Sequence, residues 1–454
     1  MKLAIMCAFI DELRDLVDLL LEVSSLPAYE EIEYAKRKCL HIKAFGHDIY
    51  ITLSGIGTTS AGNTTTALCE TIKPDCIIMC GTAGGLIAGQ KTGDLVVSNS
   101  VIDIDLFSLR EFLTGTPYEP CLTDPHSGKP IEREYSPHPL LLEIFASSSL
   151  INVTKGIIAT SNTFPAPKEA FELIKKLNCA GIEMESSGVF KAANHYDIPV
   201  IAVRAISNSL DDEGNDLKTP DDAINRCSER LTAYLLDLLP RINTFEPIVA
   251  EKRQQKIEAL VAKYALAKHE AGGYFKSETI MLPHNDASLR DRGEIREAGS
   301  STMLLLAKYD YSAWRLTESD ETWNYHQGDT LMLRVIDPIS HRVDQVLLDG
   351  DELFQYTIPS GYVISAESLG DYSIIGCMFS PSLSFEHVRF VTLAELLSCL
   401  PPEHADLRRL VKEHDISSEA AETHTSPFYT ASATDAGETQ RTDTEDAVDL
   451  GHFN

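Results

Sequence analysis

The chain contains the segment Gly181-Ile182-Glu183-Met184-Glu185-Ser186-Ser187, in which two carboxylates flank a methionine, and residues 188–193 continue as a predicted helix. In an extended segment residues i and i+2 point to the same face, so we expect Glu183 and Glu185 to share one face. A carboxylate at a strand end can accept hydrogen bonds from two neighbouring hydroxyls, and a thioether can lie against a sugar ring. Two solvated glutamates are the simpler interpretation of this heptapeptide alone, but the surrounding chain favours a sugar-binding role.

Further apolar runs in the first half predict buried strands. They lie at 3–9, 48–54, 76–80, 95–98, 156–159 and 199–206. Apolar residues with helical spacing follow at 11–21, 58–72 and 220–239. Strands that alternate with helices in this way predict an α/β fold with a mostly parallel sheet.

The ends of these predicted strands carry small, polar or acidic residues. Glu12 follows the first strand, Gly55-Ile56-Gly57 the second, a glycine-rich loop at 81–86 the third, and Ser207-Asn208-Ser209 the last. Open α/β sheets bind ligands at the carboxyl ends of their strands. Small residues there let the backbone approach a ligand, and the start of a helix offers free N–H groups.

Length and composition limit the possible classes of protein. A chain of 454 residues predicts two domains, and a net charge of -29 opposes binding to nucleic acid or anionic lipid. The ten cysteines have no metal-binding spacing, so we expect reduced, mostly buried thiols in a cytoplasmic protein. We find no apolar run of about 18 residues that would span a membrane.

Six segments of the first half occur in the order typical of the 5'-methylthioadenosine/S-adenosylhomocysteine nucleosidases, a family of the nucleoside phosphorylase superfamily. They are Glu12, Gly55-Ile56-Gly57, Gly81-Thr82-Ala83-Gly84-Gly85, Phe164, Glu183-Met184-Glu185 and Arg204-Ala205-Ile206-Ser207. The chain resembles this family over roughly residues 1–243. The resemblance implies a three-layer αβα fold around a central mixed sheet, a homodimer, and hydrolysis of the N-glycosidic bond of these two nucleosides to adenine and a thioribose product, with no cofactor and no metal.

The resemblance also implies roles for individual residues. Glu12 would orient and deprotonate the attacking water, and Glu185 would accept from the 2'- and 3'-hydroxyls of the ribose. The other residues expected to bind substrate are Phe9 beside the ribose, Met184 and Glu183 near Glu185, Phe164 stacked on the purine with Pro165 after it, and the hydroxyls of Thr82 and Ser207.

The first loop favours water as the nucleophile. Departure of the base leaves an oxocarbenium-like sugar, which neighbouring carboxylates stabilise. A phosphorylase of the same superfamily would need arginines near this loop to hold phosphate, but residues 9–12 are Phe-Ile-Asp-Glu.

Two positions depart from the family pattern. Asn208 stands where the family has an aspartate as general acid, and an amide can donate a hydrogen bond to purine N7 but cannot deliver a proton. Pro165 follows the stacking phenylalanine and lacks the N–H that would bind adenine N1. Both changes also suit a 6-oxopurine, such as the base of futalosine or inosine, so the base stays open.

The second half changes to short alternating runs separated by turns, which predict an all-β sandwich or barrel. Segments at 269–275, 319–323 and 376–381 resemble a small cupin family of poorly defined function, over about residues 257–393. Arg315 and Asn324 replace the histidines that this family has after its tryptophans, while Glu321 remains, so we expect no metal. His326 and His341 are isolated.

The expected organisation is a nucleosidase domain at 1–245, a helical linker at 246–268, a cupin-like barrel at 269–395, a helix at 396–412 and a disordered acidic Ser/Thr-rich tail at 413–454. Two alternatives to a nucleosidase are a weakened nucleoside-binding module with a cupin sensor, and a barrel with its own activity, such as sugar epimerisation. The retention of Glu12, Met184 and Glu185 favours a catalyst.

Overall fold

A computed structural model of the chain describes residues 1–23, 29–107, 131–148, 151, 153–163, 168–210, 216, 219–269, 272–280, 299–383 and 388–412. The chain divides into two compact units, Met1–Lys252 and Arg253–Asn454. The boundary falls within the predicted linker, most of which is one helix, Glu246–Tyr264. The predicted tail lies outside the described residues.

The first unit alternates strands with helices over most of its length. Its strands are β1 (Lys2–Cys7), β2 (Glu30–Tyr34), β3 (Arg37–Ala44), β4 (His47–Leu53), β5 (Cys76–Gly85), β6 (Leu95–Asp103), β7 (Glu134–Tyr135), β8 (Val153–Thr160), β9 (Cys179–Glu183) and β10 (Val200–Ser209). Its helices are α1 (Arg14–Val23), α2 (Thr58–Thr71), α3 (Pro139–Ala146), α4 (Lys168–Lys176), α5 (Ser186–His195) and α6 (Ala223–Leu238), followed by α7 (Glu246–Tyr264).

These strands form one mixed sheet. β1 lies parallel to β4 and β5, and β5 is also parallel to β10. The ladder from β5 through β10, β6, β8 and β9 returns to β5, so these strands form a closed ring. β3 and β2 extend the other side through antiparallel pairs. These two strands were not predicted. Their antiparallel pairs, together with the antiparallel pairs β10–β6 and β5–β9, make the sheet mixed, which confirms the mixed sheet implied by the resemblance.

Helices cover both faces of the sheet, which gives the predicted three-layer αβα architecture. In β1, Leu3 and Ile5 belong to the core shared with α1 and α6, while Ala4 and Met6 belong to the core shared with α2 and α5. Side chains alternate along a strand, so a continuous apolar run supplies both layers. Full burial of a leucine or isoleucine contributes about 1.5–3 kcal/mol.

Two strands extend further than predicted. β5 continues through the glycine-rich stretch to Gly85, and β10 continues to Ser209. The two strands pair to the end, where Asn208 lies opposite Gly84 and Ser209 opposite Gly85. Backbone hydrogen bonds need no side chain, so small residues permit this ladder where they were expected to form loops. Thr82, Ser207 and Asn208 therefore lie on strands.

The first strand and helix are also shorter than predicted. β1 ends at Cys7, a 3₁₀ turn covers Ile10–Glu12, and α1 begins only at Arg14. Glu12 thus lies in a separate turn between β1 and α1. The Glu12 side chain is buried, although Ile10 and Asp11 of the same turn are exposed.

The nine described cysteines are free and buried, as expected, and the tenth, Cys121, lies outside the described residues. Among the helices that the structure describes, none combines the length and apolar character needed to cross a bilayer.

The second unit is built from two antiparallel sheets. The first has the order β11 (Ala267–Lys268), β12 (Tyr274–Ile280), β13 (Gly299–Ala307), β20 (Tyr372–Ser380), β15 (Asp320–Gly328) and β18 (Gln355–Ile358). The second has the order β17 (Val343–Leu348), β16 (Leu331–Ile336), β19 (Val363–Ser368), β14 (Tyr311–Thr317) and β21 (Val388–Phe390). Trp323 and Ile375 of the first sheet share a core with Leu333 and Ile364 of the second, so the sheets pack face to face.

The predicted helix at 396–412 is in fact two short segments. Helix α8 spans Leu393–Cys399 and a 3₁₀ segment spans Pro402–Leu410. The interruption falls at Pro401 and Pro402, because a residue before proline is displaced from helical geometry. Trp314 Nε1 donates to the carbonyl of Leu407 at 3.0 Å, which ties the second segment to β14.

Candidate active site

The site begins with Glu12, whose side chain is almost fully buried (1% exposed). The backbone N–H of Ala8 donates to its Oε2 at 2.9 Å. Its Oε1 accepts from the N–H of Thr82 at 2.7 Å and from the Thr82 hydroxyl at 2.9 Å. The ends of β1 and β5 therefore hold this carboxylate in one orientation.

Gly81 makes room for a charged group beside Glu12. A Cβ at position 81 would lie 2.4 Å from an Arg204 guanidinium nitrogen and 2.9 Å from Glu12 Oε1. The φ angle of 152° at Gly81 also lies in the region that favours glycine. The absence of a side chain here thus lets the carboxylate, from the 3₁₀ turn after β1, and the guanidinium, from β10, approach the same point.

Arg204 is the central cation of the site, and it is fully buried. Its Nη2 donates to Glu183 Oε2 and, at 2.9 Å, to the Ser186 hydroxyl, and it lies 3.6 Å from Glu185 Oε2. Burial alone would lower the pKa of Arg204, but the charges of Glu183, Glu185 and Glu12 outweigh burial and raise it. One permanent cation therefore faces three carboxylates.

Glu183 stabilises the turn between β9 and α5 by accepting hydrogen bonds. It accepts from the Thr160 hydroxyl, from the N–H of Glu185 at 3.0 Å, and from the N–H and hydroxyl of Ser186 at 2.9 and 3.0 Å. With Arg204 added, both of its oxygens are engaged by protein donors. Its predicted contact with substrate stays a prediction, and its described bonds orient the residues around it.

β9 ends at Glu183 and α5 begins at Ser186, with Glu185 as its N-cap. Its Oε1 accepts from the N–H of Gly57 at 3.1 Å, at the start of α2. Burial, and next the charge of Glu183, raise the pKa of the Glu185 carboxyl to about 7, against the opposing charge of Arg204. Although the segment is not extended at Glu185, both carboxylates reach Arg204, as their expected common face requires. Met184 lies between them, half-buried.

Ser207 and Asn208 lie on the extended end of β10 and are half-buried. The Ser207 hydroxyl donates to Asn208 Oδ1 at 2.9 Å and lies 3.3 Å from the carbonyl of Ala83. Because this hydroxyl occupies Oδ1, the Asn208 amide is left to act through the N–H donors of Nδ2. The arrangement supplies a hydrogen-bond donor and no acid at this position.

The remaining predicted residues lie nearer the edge of the site. Phe9 is half-buried, and its carbonyl accepts from the N–H of Glu12 at 3.2 Å. Phe164 and Pro165 lie outside the described residues. The segment leading to them is anchored, because Asp105 accepts from the N–H of Asn162 at 2.6 Å and from the Ser161 hydroxyl at 2.8 Å.

Sequence reasoning did not assign a role to Arg204 or to the anchor Asp105. A signal was present for Arg204, since it follows the four apolar residues 200–203 within a strand whose neighbours are buried. A charge in such a strand requires a buried partner. Asp105 had no comparable signal, because its contacts join segments that are 56 residues or more apart.

The second unit has a buried ion pair of its own. Arg315 donates to both oxygens of Glu321, at 2.6 and 2.9 Å. Glu321 also accepts from the Thr317 hydroxyl at 2.8 Å and from Trp323 Nε1 at 3.0 Å. All four donors are protein groups, so this carboxylate is engaged by the fold and does not fit a metal-ligand role. Within the described ranges, no three His, Cys, Asp or Glu side chains cluster as metal ligands.

Comparison with known proteins gives two matching regions. The family described as the Phosphorylase superfamily matches residues 2–240, and the Cupin superfamily (DUF985) matches residues 258–391, so the second unit carries a cupin domain. A 5'-methylthioadenosine/S-adenosylhomocysteine nucleosidase of Bacillus cytotoxicus is 28% identical over 219 residues, which are 47% of this chain and 89% of that protein. A Haemophilus influenzae protein of the same name is 26% identical over 249 residues, 54% of this chain and 100% of its own length.

Among solved structures, a futalosine hydrolase mutant of Helicobacter pylori superposes with a TM-score of 0.44 at 20% identity, covering 53% of this chain and 99% of that one. The sequence match to the first family extends over more than half of the chain and contains every element of the site. The chain therefore belongs to the phosphorylase superfamily, with a cupin domain after the superfamily region.

Proposed function

We propose that the first unit is a purine nucleosidase that hydrolyses the N-glycosidic bond of 5'-methylthioadenosine and S-adenosylhomocysteine. One observation supports this proposal: Glu12 and Glu185, which are far apart in the sequence, both lie beside the Arg204 guanidinium. A sugar gripped by one carboxylate is then within reach of a water activated by the other. The names of the relatives, which describe this reaction in those proteins, agree with the proposal.

In the proposed reaction Glu12 takes a proton from water, and the water oxygen forms a bond to C1' as the bond from C1' to N9 breaks. The electron pair of that bond leaves with the purine, which takes up a proton from solvent, and Glu12 then returns the proton of the attacking water to solvent. A positioned base contributes roughly 10² to 10⁴ in rate. Ionised Glu185 accepts from the 2'- and 3'-hydroxyls, and the surplus carboxylate charge stabilises the cationic sugar.

Asn208 supports a second candidate, hydrolysis of a 6-oxopurine nucleoside such as futalosine or inosine. Its Oδ1 accepts from Ser207, so it offers N7 a hydrogen bond and no proton. A 6-oxopurine delocalises the charge of the departing base onto its exocyclic oxygen, so it depends less on protonation at N7 than adenine does. The base that is released, adenine or a 6-oxopurine, thus distinguishes the two candidate reactions.

The test is a base-release assay with purified full-length chain and four substrates: methylthioadenosine, S-adenosylhomocysteine, inosine and futalosine. Release of adenine from the first two supports the principal proposal. Release of hypoxanthine alone overturns the adenine assignment and supports the second candidate. If no base is released while nucleosides still bind, the unit is a binding module and the hydrolase proposal is wrong. The predicted homodimer is checked separately by the mass of the chain in solution.

A further inference from the structure

Two consecutive backbone N–H groups at the start of α2 bond to side chains from distant parts of the chain. The N–H of Gly57 donates to Glu185 Oε1 at 3.1 Å, and the N–H of Thr58 donates to Asn162 Oδ1 at 2.9 Å. Gly57 is the N-cap of the helix and has no side chain to fulfil this role. Because the two donors are adjacent peptide groups, a shift of one changes the bond made by the other.

The Asn162 side chain joins the start of α2 to the 3₁₀ turn Ile104–Leu106, which follows β6. Its Nδ2 donates to Asp105 Oδ2 at 3.0 Å and to the Thr58 hydroxyl at 2.7 Å. The backbone N–H of Asn162 donates to the same Asp105 oxygen at 2.6 Å. An amide both accepts and donates, so this side chain can accept from the helix and donate to the carboxylate at once.

Gly57 is packed directly against the Asn162 amide. Its φ angle of 86° lies in the region that favours glycine, and a Cβ there would lie 3.0 Å from Asn162 Oδ1. At the other end of this loop, the hydroxyls of Ser60 and Thr64 both donate to the carbonyl of Ser54 at 3.0 Å. The loop is therefore held by α2 itself where it leaves β4, and by Asn162 where it enters α2.

The Gly57 N–H matters because of the charges around Glu185. Burial and the charges of Glu183 and Glu12 raise the pKa of the Glu185 carboxyl, whereas Arg204 and the Gly57 N–H lower it. A hydrogen bond to the ionised form of a carboxyl favours that form. If the bond from Gly57 weakens, the pKa rises further and less of the carboxylate is ionised at neutral pH.

We propose that Asn162 is a positioning residue, which acts through Thr58 and Gly57 to hold Glu185 in the orientation that accepts from the ribose. That Glu185 binds ribose rests on the proposed function, whereas the connection from Asn162 to Gly57 does not. Asn162 is exposed, so its replacement should leave the core of the unit intact.

Two neighbouring residues give a matched pair of variants. Asn162→Ala removes the acceptor of the Thr58 N–H together with one donor to Asp105. Ser161→Ala removes a bond of 2.8 Å to the other oxygen of the same carboxylate and keeps the Asn162 side chain. Both variants lose a bond to Asp105, but only Asn162→Ala loses the connection to α2.

Base release between about pH 6 and about pH 9 compares the variants. In Asn162→Ala the fall of kcat/KM at low pH should move upward by about half to one pH unit, the effect of weakening one hydrogen bond to a charged group. At about pH 9, KM should rise about threefold or more while kcat stays within about twofold, since ribose binding is the part disturbed. Ser161→Ala should keep both the pH profile and KM.

Hydrogen exchange of residues 55–58 in the ligand-free chain tests the connection without the hydrolase. Asn162→Ala should speed this exchange about tenfold or more, and Ser161→Ala should leave it within about twofold. Unchanged exchange in Asn162→Ala, or equal acceleration by both variants, overturns the proposal, and so does faster exchange with an unmoved pH profile. If the unchanged chain releases no base, the hydrolase is lost, and the exchange result alone decides whether Asn162 positions Gly57.

Discussion

Each unit buries one arginine against glutamate, and the two pairs differ in their charge balance. Arg315 meets a single carboxylate, Glu321, whose oxygens are satisfied by four donors. Arg204 faces Glu183, Glu185 and Glu12 at once, and its Nε has no hydrogen-bond partner among the described residues. The pair in the second unit is neutral, whereas the group in the first unit has an excess of negative charge.

The excess has a physical consequence for catalysis. Buried charges without a counterion are costly, so a fold that keeps them gains something elsewhere. In glycoside hydrolysis the transition state carries positive charge on the sugar, and it would supply the missing counterion. A balanced pair such as that of Arg315 offers no such stabilisation, and this difference separates a candidate catalytic group from a structural one.

Glu12→Gln and Glu321→Gln test the comparison most strongly. Glutamine cannot take a proton from water, so Glu12→Gln should reduce base release about 10² to 10⁴-fold while nucleosides still bind. Glu321→Gln should leave base release unchanged and lower the free energy of unfolding by about 1.5–3 kcal/mol. The measurements are initial rates, calorimetric binding and chemical unfolding. Comparable rates for Glu12→Gln and the unchanged chain would remove Glu12 from the mechanism.

A smaller change exchanges each arginine for lysine, which keeps the charge and loses the planar fork. Arg204→Lys should slow base release about tenfold or more, because Glu183, Ser186 and Glu185 no longer share one donor group. Arg315→Lys should cost about 1.5–3 kcal/mol of unfolding free energy and leave the rate unchanged. Tryptophan emission follows unfolding of the second unit. Equal effects of the two variants on rate would contradict the distinction drawn here.

Much of the first unit could be predicted because its signals are local. Apolar runs marked most buried strands, and the segment 181–187 placed two carboxylates near one another. Strand length at the site could not be predicted in the same way. β5 and β10 extend through small residues because each pairs with the other, and such pairing leaves little trace in either segment alone.

The candidate site divides along the same line. Glu12, Glu185 and Asn208 lie at or just after predicted strands, and the resemblance to the nucleosidase family was what selected them. The charge balance depends on Arg204 lying beside Gly81, which is a contact between strands that are far apart in the sequence. In the second unit the sequence showed that Arg315 departs from the metal-site pattern and that Glu321 retains it. Only the structure shows that the two side chains pair with each other.

Asn208→Asp would add an acid to the edge of the site. A protonated aspartate can deliver a proton to purine N7, which the amide cannot, so adenine nucleosides should be hydrolysed about tenfold faster or more. Inosine should gain less, because its base depends less on that proton, and it serves as the internal control. The measurement is kcat/KM for both substrates. A lower rate on adenine nucleosides would show that Asn208 acts in another way.

The pH dependence of base release tests the charge excess with the smallest perturbation. Burial and the charge of Glu183 raise the pKa of Glu185 to about 7, so this carboxyl is protonated below that pH and ionised above it. Only the ionised form accepts from both ribose hydroxyls, so kcat/KM should fall about tenfold per pH unit below 7 and level off above it. Glu185→Gln does not titrate, so its lower kcat/KM should lose this acid limb. An acid limb that persists unchanged in Glu185→Gln would mean that another group controls it, and the raised pKa would then have no part in substrate binding.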